Sequence, residues 1–368
     1  MAIVFIAGTT AELIKLSPVL RELDRRGEPY RLWSTDQHVT GVEQTLADLG
    51  VRRPDRHLVP AGRRVHVAAS GQVAPWVKEV VSTVLRERDE LTAELADDGR
   101  RSLIVVHGDT FTTVLGALIG RFLGARVAHV EAGLRSGSLR NPFPEEVNRR
   151  IVGHLASLHF APTSAEMANL SRSRAPGEVV VTGANTVVDA LRLARGAEVD
   201  DLDLPAHFGL VTMHRYELLR DADALAALLR ALSNADGDPP LLFVAGQAER
   251  ARISELGLDG LFHTDFRIIE KRPYARFLPI LTRADFVVTD SGGLQEECAA
   301  LGIPCAVHRE RTERHQGLGA NVVLTEMNID NLQAFLRDWR DLRRPSVLDE
   351  LEPSVAVADR LVALAGGA

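Results

Sequence analysis

Three carboxylates in one stretch of the chain, Asp109, Glu131 and Glu145, are the residues best placed by type and spacing to move protons. Asp109 follows the apolar run Leu103-Ile104-Val105-Val106, Glu131 follows Arg126–Val130, and Glu145 sits in the first turn of a helix opened by Pro144. Short, mostly β-branched apolar runs read as strands buried on both faces of a parallel sheet. The apolar residues from Phe111 to Phe122 recur at helical spacing between them. Such a unit leaves Asp109 and Glu131 just past the C-terminal ends of neighbouring strands, where open α/β sheets bind ligands. Glu145 can swing to the same edge from its loop. Carboxylates converging there form a candidate acid–base site, because each raises the pKa of the others and burial adds to that. Taken singly, Asp109 reads equally well as a helix N-cap and Glu145 as a first-turn dipole partner. Glu131, ending an apolar strand, needs a partner of its own.

A second set of residues points to a phosphate-bearing ligand. Thr289-Asp290-Ser291-Gly292-Gly293-Leu294-Gln295-Glu296-Glu297 reads as a strand end, a nest of small residues and a helix start. Ser291, Gly292 and Gly293 can offer a hydroxyl and backbone N–H groups to a phosphate. Glu297, a turn further on, can accept hydrogen bonds from vicinal ribose hydroxyls. A plain helix cap is the simpler alternative for the same residues. His214, beside Arg215 at another strand end, is a proton carrier or phosphate donor expected to face a cleft between domains. The arginines of Arg309–Arg314 could close on a diphosphate. In the first strand-to-helix turn, Gly8-Thr9-Thr10-Ala11-Glu12, backbone N–H groups could hold an anion, with Lys15 following in the helix.

The elements that would position these residues alternate strand and helix twice along 368 residues, a length suited to two domains. The first domain is expected over 1–195, the second over 205–350, with an acidic linker at Gly196–Pro205 between them. A last helix in 351–368 could cross back to the first domain. The fold class is α/β: two doubly wound Rossmann-like domains facing a central cleft. Residues 55–71 are expected to be irregular, Trp76–Ala96 helical, and 97–101 a polar connection. With 45% hydrophobic and 25% charged residues the composition is ordinary, and the net charge of -7 argues against a nucleic-acid partner. No basic-flanked signal segment or bilayer-length apolar run is seen, so no membrane partner and a cytoplasmic location are expected. Cys298 and Cys305 give neither a disulfide framework nor zinc spacing. No metal and no cofactor are expected, and the assembly expected is a homodimer.

The motifs GTTAELIKLSPV, VHGDTFTT, HVEAGLRSG, PFPEEVNRR, TMHR, DSGGLQEE and RERTER stand in the order and spacing of the UDP-N-acetylglucosamine 2-epimerases, which the chain resembles over nearly its whole length. The resemblance implies the two-domain fold of B-type glycosyltransferases, with a UDP-sugar as substrate and UDP held mainly by the C-terminal domain. It implies anti elimination of UDP to 2-acetamidoglucal, then re-addition of UDP in the non-hydrolysing branch or of water in the hydrolysing one. By motif, Asp109, Glu131 and Glu145 are the acid–base residues, and His214 and Lys15 contact the sugar and diphosphate. Ser291, Gly292 and Gly293 match the phosphate cradle, Glu297 the ribose ligand, Arg314 a diphosphate contact, and Phe277 the uracil platform. Thr10 stands where the family usually has a diphosphate-binding arginine, and only Gln37-His38 remains of a Gln-His-Arg loop used in allostery. The expected activity is a non-hydrolysing epimerase. A hydrolysing epimerase or one for a related UDP-sugar is the nearest alternative, then a retaining glycosyltransferase or a catalytically silent binding protein.

Overall fold

A computed structural model of the protein describes residues 2–67, 70–96, 102–139, 143–193, 203–235 and 239–366. The chain divides into two compact units, Met1–Leu193 with Leu351–Ala368, and Ala194–Glu350. The expected linker at 196–205 lies outside the described residues up to position 202, as does the polar connection at 97–101.

In the first unit the strands are β1 (Ile3–Ala7), β2 (Arg31–Ser34), β3 (Arg56–His57), β4 (Leu103–His107), β5 (Arg126–Val130), β6 (Leu158–Ala161) and β7 (Glu178–Val181). They form a seven-stranded parallel sheet in the order β3-β2-β1-β4-β5-β6-β7. The chain winds outward from β1 in one direction, then returns to β4 and winds the other way. The switch point therefore falls between β1 and β4, with the loops after both strands at its mouth. β1 and β4 are buried at every position, which is why their sequences are unbroken apolar runs closed by a small or polar residue. The Phe111–Phe122 helix lies close on this sheet. A Cβ on Gly116 would come 2.7 Å from Val106 Cγ1, and one on Gly120 2.8 Å from Val127 Cγ2. That close approach holds the loop bearing Asp109 against the strand ends.

The second unit repeats the plan with β8 (Gly209–Thr212), β9 (Leu241–Ala245), β10 (Phe266–Glu270), β11 (Phe286–Thr289), β12 (Cys305–Val307) and β13 (Val322–Leu324). Its six-stranded parallel sheet runs β10-β9-β8-β11-β12-β13, so its switch point lies between β8 and β11. A separate apolar core, with Phe243, Phe266, Phe286 and Trp339 among its rings, covers this sheet. The C-terminal helix, Pro353–Gly366, belongs to the first unit: Asp359 pairs with Arg26 at 2.6 Å, Arg360 with Glu178 at 2.6 Å, and Ser354 N donates to Asp189 at 2.7 Å.

Three details depart from the sequence expectation. β3 lies inside the stretch expected to be irregular, held by Asp55 N to Leu32 O and Leu58 N to Ser34 O at 2.8 and 2.7 Å. Arg56 is anchored there by Glu87, Glu90 and Glu94. The helix expected over 76–96 is two, Ser70–Arg86 and Arg88–Leu95, broken at Glu87 where ψ is 18°. β13 was not anticipated; its three residues are too few to show a period. Among the described residues no helix is long and apolar enough to cross a membrane.

Candidate functional site

At the first unit's switch point a buried carboxylate ties the two loops together. Thr9 caps the Thr10–Arg26 helix, and Glu12 Oε2 accepts the backbone N–H groups of Gly8 (2.8 Å) and Thr9 (2.9 Å). Its other oxygen accepts the Thr110 hydroxyl at 2.5 Å and that of Thr113 at 3.3 Å. The Gly8 and Thr9 N–H groups of this turn are thus filled from within, which leaves those of Thr10 and Ala11 as the ones an anion could meet. Burial raises the Glu12 pKa above its ordinary value, against the pull of the hydrogen bonds from Thr110, Gly8 and Thr9. Thr110, not Asp109, caps the Phe111–Phe122 helix, with Thr113 closing the capping box, so the N-cap reading of Asp109 is removed.

The three acids each stand in a different setting. Asp109 Oδ2 receives Arg149 Nε at 2.8 Å and Nη2 at 2.6 Å, while Asn148 Nδ2 donates to the Asp109 carbonyl at 2.8 Å. Glu131 ends β5 with φ of 65°, a left-handed backbone that a non-glycine residue adopts at some cost. Its buried carboxylate accepts Lys15 Nζ at 2.5 Å and Asn185 Nδ2, with His107 Nε2 at 3.6 Å. Asn185 is oriented in turn, because its Oδ1 accepts the Val187 N–H at 3.2 Å. Glu145 is the first residue of the Glu145–Leu155 helix, whose N-cap, Pro144, makes no side-chain cap bond. The acids at β4 and β5 are therefore each matched with a cation, rather than repelling one another as the sequence expectation had it. Nearby, His129 Nε2 lies 2.7 Å from Gly108 O, so that nitrogen carries the proton. Burial lowers the His129 pKa to about 3, and the ring is neutral.

The second unit uses the same device. Asp290, buried at the end of β11, accepts the backbone N–H groups of His214 (2.9 Å) and Arg215 (2.8 Å) on Oδ2, and Oδ1 lies 3.2 Å from His214 Nδ1. Arg215 Nε donates to Asp290 O at 2.9 Å. This fixes the loop after β8 to the loop after β11 and leaves the His214 ring half exposed. Ser291 caps the Gly292–Leu301 helix, its hydroxyl accepting Leu294 N at 3.4 Å. A Cβ on Gly292 would sit 2.7 Å from Arg314 Nε, whereas one on Gly293 would meet only Ser291 Oγ at 3.7 Å. Gly292 is required by the close passage of Arg314, and Gly293 leaves open space over the helix start, where first-turn N–H groups have no partner in the helix.

Arg314 is buried against Glu296, and Arg309 pairs with Glu313 at 3.1 Å, so part of the arginine run is neutralised within the unit. Glu297 Oε1 accepts the Tyr274 hydroxyl at 2.8 Å. Burial, followed by the Glu297 charge, pushes the Tyr274 pKa well above its usual range. Tyr274 begins the helix Tyr274–Arg283 that also carries the half-buried Phe277. In the first unit, then, Lys15 and Glu131 are brought into contact; in the second, His214, Arg215 and the nest share Asp290. Sequence reasoning did not single out Arg149, Asn185 or Tyr274. It also missed the Thr9-x-x-Glu12 spacing, a capping box legible from sequence. Among the described residues no group of three His, Cys, Asp or Glu side chains is arranged to hold a metal ion.

Comparison with known proteins agrees with these features. The profile of the family described as UDP-N-acetylglucosamine 2-epimerase matches residues 21–345. The UDP-N-acetylglucosamine 2-epimerase of Yersinia pestis is 32% identical over 362 residues, covering 92% of this chain and 91% of that one. The crystal structure of the Methanocaldococcus jannaschii UDP-GlcNAc 2-epimerase in complex with UDP-GlcNAc and UDP superposes with a TM-score of 0.81 at 27% identity, covering 100% of both chains. The UDP-GlcNAc-bound enzyme of Neisseria meningitidis, at 24% identity and a TM-score of 0.82 over 100% of both chains, shares the fold. With the profile spanning most of its length and close to a third of its residues shared with such a relative, the chain belongs to the UDP-N-acetylglucosamine 2-epimerase family.

Proposed function

We propose that the protein interconverts UDP-N-acetylglucosamine and UDP-N-acetylmannosamine, with the second unit holding UDP and the first transferring protons. The observation that carries this reading is the pair of acids, Asp109 and Glu131, ending adjacent strands with a cation on each. Inversion at C2 needs a base to remove a proton and an acid to return one on the opposite face. A carboxylate beside a guanidinium or ammonium stays ionised and can serve as the base. As the C2–H bond breaks, its electron pair forms the C1=C2 bond of 2-acetamidoglucal, and the C1–O pair leaves with UDP. Re-addition of a UDP oxygen at C1, with a proton delivered to C2 from the opposite face by a second acid–base group in its protonated form, completes the epimer, and proton exchange with solvent then resets both groups. Glu145 is the third acid–base group.

In the second unit, the reading places phosphate on Ser291, Gly292 and Gly293, with His214 and Arg215 contributing donors from a loop fixed by Asp290. Glu297 takes the ribose hydroxyls and Phe277 packs the uracil. Arg314 acts through the nest it braces, since its charge is matched by Glu296. The non-hydrolysing outcome follows if UDP, held in place, reaches C1 ahead of water. Thr10 removes one guanidinium from the family's usual set, and Lys15 is engaged by Glu131, which favours some escape of glucal and UDP. The test is incubation with UDP-N-acetylglucosamine followed by proton and phosphorus NMR from the earliest turnovers. UDP-N-acetylmannosamine is expected to accumulate first. Free UDP and N-acetylmannosamine forming in step from the start would overturn the non-hydrolysing assignment, and an unchanged substrate would overturn the activity.

A further inference from the structure

The contact between Asp109 and the Glu145–Leu155 helix is more specific than an ion pair joining two elements. Arg149 donates Nε to Asp109 Oδ2 at 2.8 Å and sets its charged Nη2 2.6 Å from the same oxygen. Among the described residues nothing donates to Oδ1, and the Asp109 side chain keeps 21% of its surface exposed while that of Arg149 keeps 3%. Arg149 cannot easily turn away. Its Nη1 lies 3.4 Å from Glu146 Oε2, and Glu146, fully buried, is itself held by Ser136 N at 3.0 Å and Arg150 Nε at 3.0 Å. The preceding residue, Asn148, fixes the Asp109 main chain from the same helix. One face of that helix thus sets both where the carboxylate stands and which oxygen is available.

We propose that Arg149 is the positioning residue for Asp109, holding it by Oδ2 as a carboxylate so that Oδ1 is the oxygen that exchanges a proton with substrate. This rests on the reading of Asp109 as a proton-transfer group. Arg149 lies between two carboxylates, and Glu146 is also served by Arg150 and, at 4.0 Å, by Arg135. The other ionisable groups on flanking elements are His129, bonded to Gly108 O; Glu131 with Lys15; His107, 3.6 Å from Glu131; Glu145; and Glu12, which reaches Thr110. Among them Glu131 is already matched by a cation and His129 is neutral, and Arg149 is the cation in contact with Asp109.

The experiment compares Arg149→Lys, Arg149→Gln, Asp109→Asn and the double variant Asp109→Asn/Arg149→Gln with the wild-type chain. Measurements are kcat and KM for UDP-N-acetylglucosamine across pH, deuterium uptake at C2 in D2O, and the carbon NMR titration of the Asp109 carboxyl. Arg149→Gln should lower kcat by at least about 100-fold, the scale of a lost proton-transfer group, with KM changed less than about threefold. Its acid limb should move up by about one pH unit or more, as expected when a carboxylate loses a neighbouring cation. Arg149→Lys should recover part of kcat and most of the pH profile, and on the Asp109→Asn background the Arg149 change should cost little more. Circular dichroism and a thermal midpoint of the first unit close to wild type show that the variants fold. A kcat loss that multiplies with Asp109→Asn, or an unmoved acid limb, overturns the proposal. If Arg149→Gln does not fold, the carboxyl titration of Arg149→Lys decides: a raised Asp109 pKa supports the proposal and an unchanged one ends it. A wild-type chain that exchanges no C2 proton refutes the epimerase reading instead, while the carboxyl titration still tests Arg149.

Discussion

Replacing Glu12 separates the two roles of a buried acid at the first switch point, its charge and its hydrogen bonds. Glu12→Ala would strip acceptors from the N–H groups of Gly8 and Thr9, which are buried with it, and from the hydroxyls of Thr110 and Thr113. The hydroxyls can turn elsewhere, but the two backbone donors cannot. At roughly 1–3 kcal/mol for each orphaned donor, the expected cost is about 2–6 kcal/mol. For the first unit, roughly 200 residues that shift by about 2–4 °C per kcal/mol, that corresponds to a fall of roughly 4–24 °C in its midpoint. Glu12→Gln should behave differently. Its Oε1 can accept both N–H groups, and its Nε2 can donate to Thr110 and Thr113, whose hydroxyls can also accept. It also removes a buried charge that burial disfavours. The amide variant should therefore lie within about 1 kcal/mol of wild type at pH 7, or above it, well inside the range of a tolerated substitution. The pH dependence has a definite sign. The folded-state pKa of Glu12 is raised above 4.5, so between that value and the folded pKa the folded chain binds more protons than the unfolded one. Wild-type stability relative to Glu12→Gln should fall as pH rises through this window and then level off. Chemical denaturation at a series of pH values, following the first unit, measures this. A Glu12→Gln chain as unstable as Glu12→Ala, or a wild-type advantage that grows with pH, would refute the argument.

Gly293→Ala should leave stability unchanged or raise it by up to about 1 kcal/mol, since alanine favours helix and meets only Ser291 Oγ. It should still weaken UDP at least roughly tenfold if phosphate lies on the nest, and equal UDP affinity in calorimetry would move the phosphate elsewhere. Gly292→Ala should lower both stability and affinity, because its Cβ collides with Arg314. Glu297→Ala should cost at least about 1.5 kcal/mol in UDP binding, roughly tenfold in Kd. Tyr274→Phe, which removes only the orienting hydroxyl, should cost less, and the reverse ranking would remove Glu297 from the ribose. Asn185→Asp would set a second carboxylate against Glu131 and shift the acid limb of kcat upward by about a pH unit or more; a kcat profile identical to wild type would separate Glu131 from the reaction.

The sequence by itself determined the frame. Strands β1, β4, β8 and β11 are legible because burial on both faces leaves largely apolar runs, a signal carried by four or five adjacent residues, and β5 follows from Val127, Ala128 and Val130 at the matching place after the helix. Their alternation with helices fixes a parallel sheet and puts Asp109, Glu131, His214 and Asp290 at strand ends without knowledge of any contact. Short β3 and β13 were not legible, since their existence depends on a neighbouring strand offering hydrogen bonds rather than on any local pattern. Only tertiary structure decided which partner each acid receives. Lys15 meets Glu131 across 116 residues of chain, and Arg149 meets Asp109 across 40. Sequence spacing carries no information about such pairs, because it is the strand order of the sheet that brings them together. The same reason reverses the expected electrostatics: the acids at the ends of β4 and β5 are adjacent in the sheet, yet each is paired with a cation brought in by a helix from another part of the chain.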